Sequence, residues 1–343
     1  MQFKSKINKF RRRAMHGLTH GIGRSNVSAN TKINAKRIFI ARPNSRLGNQ
    51  LMISPLLQEL TQMFPECKID LFVRGNVSSI LFEKYENIDR IIKLPKKPFK
   101  ELFKYLKVWI ALRKYRYDLA INVTEASSSG RLATKWVKAK FKLFNEINNE
   151  LKTKYDDYIH MAKFPVYNFR YFFSPESVEK PIPTLNIKLT PDELDNGKKV
   201  LQSIVNNDKK TIGIYTFATG QKCYPQTLWA QIYERLKSEY EENYNILEIL
   251  PVENVSQIAF KAPAYYSKNL REIASLIANT QLFFGADSGM MHLASTSQRA
   301  VIGLFSITDT NVYKPYGNNS IAINPLTMPI DEIIEIIDDV LKE

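Results

Sequence analysis

Apolar residues in this chain fall into short continuous runs separated by stretches of three-to-four-residue periodicity. That pattern belongs to strands alternating with helices in a parallel sheet covered on both faces. The runs Arg37–Ala41, Ile69–Val73, Arg90–Leu94, Leu119–Val123 and Lys140–Phe144 predict five strands. Between them the spacing predicts helices over Asn49–Met63, Phe99–Tyr115 and Arg131–Val137, whereas Ile159–Phe173 is aromatic and polar by turns and predicts nothing regular. Pro175, Pro181 and Pro183 then interrupt any element across Ser174–Pro183. A second series follows, with strands at Thr211–Tyr215, Ile246–Leu250, Gln281–Gly285 and Ala300–Phe305 and a helix over Leu270–Asn279. The last helix, Ile330–Leu341, repeats apolar residues at 330, 333, 334, 337, 340 and 341, so one face is buried. The expected fold class is α/β, with two Rossmann-like domains at 37–180 and 181–329, an extension at 1–36 and a closing helix at 330–343.

Charge changes this picture at one end. Of 49 Lys and Arg residues, 12 precede the first acidic residue, Glu59, and the other 37 nearly balance the 34 Asp and Glu. The net charge of +15 therefore resides mostly in the N-terminal region, and the two domains are close to neutral. Within the extension, Phe3, Ile7, Phe10, Ala14 and Leu18 share one helical face with Lys and Arg opposite, a pattern suited to an anionic membrane surface contacted through residues 1–24. A solvated tail and a helix packed on the body are the competing readings, and a nucleic-acid arm is disfavoured. Ser25–Thr31 reads as a linker. A hydrophobic content of 44% suffices for two cores, and no apolar run approaches the ~20 residues that span a bilayer. Cys67 and Cys223 are too few for a disulfide framework, no signal peptide is visible, and the expected compartment is cytoplasmic, peripheral on the membrane. His16, His20, His160 and His292 show no ligand spacing, so no metal and no cofactor is expected.

The densest chemistry lies in Phe283-Phe-Gly-Ala-Asp-Ser-Gly-Met-Met-His-Leu-Ala-Ser295, a buried strand breaking into a small-residue turn that opens a helix. Unpaired N–H groups and the positive end of the helix dipole at such a start suit a phosphate. Asp287, Ser288 and Gly289 form the turn and His292 stands one turn in; Asp287 itself suits sugar hydroxyls or a capping role better than phosphate. Lys222, in Ala218-Thr-Gly-Gln-Lys222 after the strand Thr211–Tyr215, is a flexible cation at a strand's carboxyl end that can neutralise a departing diphosphate.

The order of helix 270–279, strand, Asp287-Ser-Gly-x-x-His292, helix, strand 300–305 and Lys314-Pro-Tyr-Gly317 closely resembles glycosyltransferase family 9, the family of the ADP-heptose:lipopolysaccharide heptosyltransferases. Residues 37–65 and 211–229 resemble the openings of that family's two domains, whereas the first 36 residues have no counterpart in it. The resemblance implies a GT-B architecture, in which the two domains face a central cleft and the terminal helix braces them. It implies inverting, metal-independent transfer of a sugar such as heptose from a nucleotide-diphosphate donor, ADP-linked, to a lipid-linked or core oligosaccharide acceptor. Donor binding would then fall to Thr219, Gly220, Lys222, Glu253, Asp287, Ser288, Gly289 and His292. The family's base, an Asp in the Gly-Asp turn after the first strand, corresponds here to Asn49, whose amide cannot take a proton at neutral pH. Asn49 can instead orient the acceptor hydroxyl or cap the following helix, and Glu125, just beyond the strand Leu119–Val123, is a candidate replacement base. Two alternatives stay open: a nucleotide-sugar epimerase or hydrolase on the same plan, and a catalytically silent nucleotide-sugar or glycan-binding protein.

Overall fold

The computed structural model describes residues 22–95 and 101–342. Most of the basic extension expected to meet a membrane, residues 1–21, therefore lies outside the described residues, as do Phe99 and Lys100 of one expected helix. The chain forms two compact units. The first runs to Ser45 and resumes over Pro55–Pro183, and the second joins Arg46–Ser54 to Thr184–Glu343.

The first unit is built on β1 (Arg37–Arg42), which leads through α1 (Leu47–Leu51) and α2 (Ser54–Met63) to β2 (Lys68–Arg74). Sequence spacing predicts one helix over Asn49–Met63, but the structure breaks it. Pro55 has no N–H to offer the Leu51 carbonyl, and the Ser54 hydroxyl donates to that oxygen instead at 2.8 Å. The unit continues with α3 (Val77–Leu81), β3 (Ile88–Leu94), α4 (Leu102–Ala111), β4 (Arg116–Asn122), α5 (Ser128–Trp136), β5 (Lys138–Leu143), α6 (Asn149–Lys154) and α7 (Phe164–Phe173). The five strands are parallel in the order β3-β2-β1-β4-β5, so the direction of winding reverses between β1 and β4. Burial of Phe39, Phe72, Leu112, Tyr117 and Ala133 closes one face of the sheet under α4 and α5. Helix α7 buries seven of its ten residues and carries Arg170, which donates from Nε and Nη2 to the two carboxylate oxygens of Glu59 on α2 at 2.8 and 2.7 Å.

Ser25–Thr31 is no linker. The Asn26 N–H donates to the Lys142 carbonyl at 3.1 Å, the Lys142 N–H donates to Asn26 Oδ1, and the Phe144 N–H donates to Ser25 Oγ. Arg131 on α5 donates to the carbonyls of Ile22 and Gly23, and the Thr31 N–H donates to the Phe172 carbonyl. A Ser/Asn-rich composition reads as a loop, yet here the polar side chains bind it along β5.

The second unit contains α8 (Pro191–Val205), β6 (Lys210–Tyr215), α9 (Gln226–Tyr240), β7 (Tyr244–Ile249), β8 (Ala264–Tyr265), α10 (Leu270–Ile277), β9 (Leu282–Ala286), α11 (Gly289–Ser295), β10 (Ala300–Leu304), α12 (Thr310–Tyr313), β11 (Ile321–Ile323) and α13 (Ile330–Lys342). Its six strands are parallel in the order β11-β10-β9-β6-β7-β8, with the reversal between β6 and β9. Helix α8 starts on a capping box between Thr190 and Glu193, and the Glu193 carboxylate also receives both Nε and Nη2 of Arg271 on α10. Gly197 lets the α8 backbone meet α10, since a methyl there would lie 2.4 Å from the Ser275 carbonyl. The buried face of α13 (Ile333, Ile334, Ile337, Val340) joins Trp229, Leu236, Phe284 and Ile302 in this unit's core. Carboxyl ends of strands at a winding reversal are where such sheets leave room for ligands, and the second unit places its candidate residues there.

Candidate functional site

Strands β6 and β9 are neighbours, so the segments that follow them start side by side. After β6 the chain passes Thr219 and Gly220, both exposed, and enters one 3-10 turn that brings Lys222 over the end of β9. Gly220 has a φ of +67° and open space around it, a left-handed turn that glycine adopts without strain. Lys222 Nζ donates to Asp287 Oδ2 at 2.5 Å, with the lysine side chain 38% exposed and the aspartate 7%. Ser288 is the N-cap of α11, its side chain accepting from the Met291 N–H at 3.3 Å. The capping role open to Asp287 in the sequence thus belongs to Ser288, and Asp287 holds the lysine. Tyr224 is buried nearby, and burial raises its pKa, with the Asp287 charge adding to the shift. The ammonium carries three donors and spends one on Asp287, which leaves it able to hold an anionic ligand at the mouth of the sheet.

The turn after β1 sits on α11 as part of the second unit. Gly48 faces the His292 ring so closely that a methyl there would lie 2.4 Å from His292 Cδ2, and Gly289 meets Leu47 in the same way. His292 is buried. Asn49 follows Gly48 in the short helix α1, next in the chain to the residue that meets His292. It does not cap the helix that follows, because α1 already begins at Leu47 with Arg46 in the N-cap position. Glu125 belongs to the first unit, half-buried just past β4, where its charge reaches the Tyr158 phenol. Glu253 is exposed in the loop after β7, and its charge adds to the burial that raises the pKa of Tyr215. Among the described residues no group of three His, Cys, Asp or Glu side chains is placed to hold a metal ion.

The sequence profile of glycosyltransferase family 9 (heptosyltransferase) matches residues 105–329, well over half of the chain. The chain belongs to this family. Among curated family 9 relatives, lipopolysaccharide heptosyltransferase 3 of Escherichia coli is 22% identical over 306 residues, covering 80% of this chain and 85% of that protein. Lipooligosaccharide heptosyltransferase 2 of Campylobacter jejuni subsp. jejuni serotype O:2 is 27% identical over 294 residues, covering 83% and 85%. Among solved structures, the family 9 glycosyl transferase of Veillonella parvula DSM 2008 superposes with a TM-score of 0.68 at 16% identity, covering 91% of this chain and 99% of that one. E. coli heptosyltransferase WaaC with ADP superposes with a TM-score of 0.65 at 16% identity, covering 89% and 99%. The two parallel-sheet α/β domains are thus those of the GT-B heptosyltransferases.

Sequence reasoning missed one buried polar group near this candidate site. Glu248 in β7 is fully buried and accepts the Thr216 hydroxyl at 2.6 Å, while Thr216 Oγ1 accepts the Gln257 N–H at 3.1 Å, tying the loop that holds Glu253 to the end of β6. The available signal was a lone charge inside Ile-Leu-Glu-Ile-Leu, an apolar run. Burial pushes the Glu248 carboxyl above its ordinary range. The folded chain then holds this proton more tightly than the unfolded chain, so stability falls as pH rises from about 4.3, the ordinary Glu value, through the raised folded value. Glu248→Gln keeps an acceptor for Thr216 and removes that loss. Its melting temperature is expected to exceed the parent's near neutral pH and to converge with it below about pH 4; superimposable profiles would refute this account.

Proposed function

We propose that this chain is an inverting, metal-independent glycosyltransferase that moves a sugar such as heptose from a nucleotide-diphosphate donor, ADP-linked, to a lipopolysaccharide-core or related glycan acceptor. The observation that carries the reading is the meeting of Lys222, Asp287 and the Ser288-capped start of α11 at the carboxyl ends of β6 and β9, in a family 9 chain. A lysine cation and a helix start facing one point can stabilise the charge that develops on a departing diphosphate. In the proposed complex Thr219, Gly220, Lys222, Ser288 and Gly289 face the diphosphate, Asp287 and His292 the sugar, and Glu253 the nucleoside. The printed names of the relatives, lipopolysaccharide and lipooligosaccharide heptosyltransferases, support the sugar and acceptor classes. The lysine-rich and arginine-rich residues 1–24 support work at the inner face of the cytoplasmic membrane.

The test is incubation with ADP-, UDP-, GDP- and CMP-linked sugars and a truncated core acceptor, read as acceptor mass gain. Transfer from one donor supports the reading; release of free sugar without acceptor would point to a hydrolase instead. Asn49 favours one competing reading, a chain that binds nucleotide sugars without transferring them, because inverting attack needs a group to take the acceptor proton. Asn49→Asp is expected to raise the transfer rate at least about tenfold by restoring the carboxylate that the family resemblance expects at this position. Full activity in Glu125→Gln, measured alongside, would remove Glu125 as the base.

A further inference from the structure

Helix α4 has two apolar faces and only one core to bury them in. Tyr105, Val108 and Trp109 pack against the first unit's core together with Leu112. Leu102, Phe103, Leu106 and Ile110 lie on an adjacent face and stand 53, 83, 49 and 72% exposed. Spacings of one, three and four residues put these side chains within about 100° of arc, so they form one stripe. An isolated exposed leucine needs no explanation, but four large apolar side chains on one helical stripe mark a contact surface. Trp136, also exposed, closes the stripe at the end of α5: its Nε1 donates to the Trp109 carbonyl and the Arg113 guanidinium lies 5.1 Å from its ring centroid.

Charge says what covers this surface. Lys104, Lys107, Arg113 and Lys114 are exposed on or just beyond the helix, and Lys96, Lys97 and Lys100 precede it in sequence. Glu101 is the one acidic residue between Lys96 and Tyr117, and it is paired to Lys104 at 3.2 Å. An apolar stripe bordered by lysines, whose stems cover hydrocarbon while their ammonium groups reach headgroups, matches an anionic bilayer surface. A two-fold contact between copies would instead bring Lys104 and Lys107 against their own counterparts. We propose that the outer face of α4, with Trp136, docks on anionic phospholipid, a contact separate from residues 1–24. This deepens the membrane-facing part of the proposed function and rests on it only for where the enzyme works.

The full chain is floated with vesicles of equal parts phosphatidylglycerol and phosphatidylcholine, and with phosphatidylcholine alone. Binding to the anionic vesicles is expected, with Phe103→Ser/Ile110→Ser and Lys104→Glu/Lys107→Glu each weakening it at least about tenfold. Both changed surfaces are solvated, so melting temperatures and transfer to a delipidated acceptor should stay at the parent's values; loss of transfer in the parent chain itself would instead speak against the transferase reading. Parental binding in both double variants would overturn the proposal and leave residues 1–24 as the membrane contact. So would equal binding to neutral vesicles, or a parent dimer that Phe103→Ser/Ile110→Ser splits.

Discussion

Lys222→Ala is expected to weaken binding of the nucleotide-sugar donor by about 2–3 kcal/mol, or roughly 30- to 150-fold, with a further loss in turnover. The estimate follows from two changes at once. On the proposed reading one charged donor to the diphosphate disappears, and Asp287, almost wholly buried and paired to Lys222 at 2.5 Å, is left as an uncompensated negative charge beside the proposed ligand. Thermal shift with the donor measures the first effect, and the ratio of KM to kcat changes separates ground-state binding from stabilisation of the leaving group. Lys222→Ala/Asp287→Ala should lose less than the sum of the two single changes, since removing the aspartate also removes the repulsion. Donor affinity unchanged in Lys222→Ala would remove this lysine from the site.

That pair illustrates how far the sequence leads. Lys222 and Asp287 are 65 residues apart, and each is legible alone, one as a cation beyond a strand and the other in a turn before a helix. Their partnership depends on β6 and β9 being neighbours, and strand order is not written in local periodicity. The same limit hid Thr216 and Glu248, whose hydroxyl and carboxyl meet only because β6 and β7 pair. Asn49 drew notice only through the family resemblance, which expects an acidic residue there, and its position inside α1, rather than at a cap, needed the backbone.

Glu59→Ala is expected to lower the first unit's stability by about 3–5 kcal/mol, because breaking a buried ion pair on one side strands the other charge. Arg170 is 4% exposed at its side chain and would lose both carboxylate contacts. Its Nη1 still donates to the Lys180 carbonyl at 2.6 Å, which places the loss toward the lower end of that range. Denaturant unfolding measures it, and Glu59→Gln, which keeps one acceptor, should fall between parent and Glu59→Ala. An unchanged midpoint in Glu59→Ala would show that the pair contributes nothing net.

Arg170 sits on one of the helices that sequence periodicity did not reveal. Helix α7 buries residues around most of its circumference, so the aromatic run Phe164–Phe173 has no polar face to set a 3.6-residue rhythm. The inner strands of both sheets were legible because buried parallel strands read as continuous apolar runs, whereas β3 and β5 at the edges of the first sheet are only partly buried and mix lysine and arginine with apolar residues. Strands β8 and β11, two and three residues long, are too short to leave such a run. Helices α8 and α9 were not expected either, although Thr190-Pro-Asp-Glu193 carries a capping box with proline in the first turn that marks the start of α8.

The bonds from Ser25 and Asn26 to β5 have a consequence for solubility. A terminal strand of a sheet offers a row of amide and carbonyl groups to any passing chain, and proteins must blunt that template. Here the Lys142 N–H and carbonyl, the Lys140 carbonyl and the Phe144 N–H are already occupied by a few residues of the chain's own leading segment. The segment acts as a selvedge on the woven sheet: shortening the protein to begin near Lys32 would strip these bonds, with those that buried Arg131 makes to Ile22 and Gly23, and open β5 to intermolecular pairing.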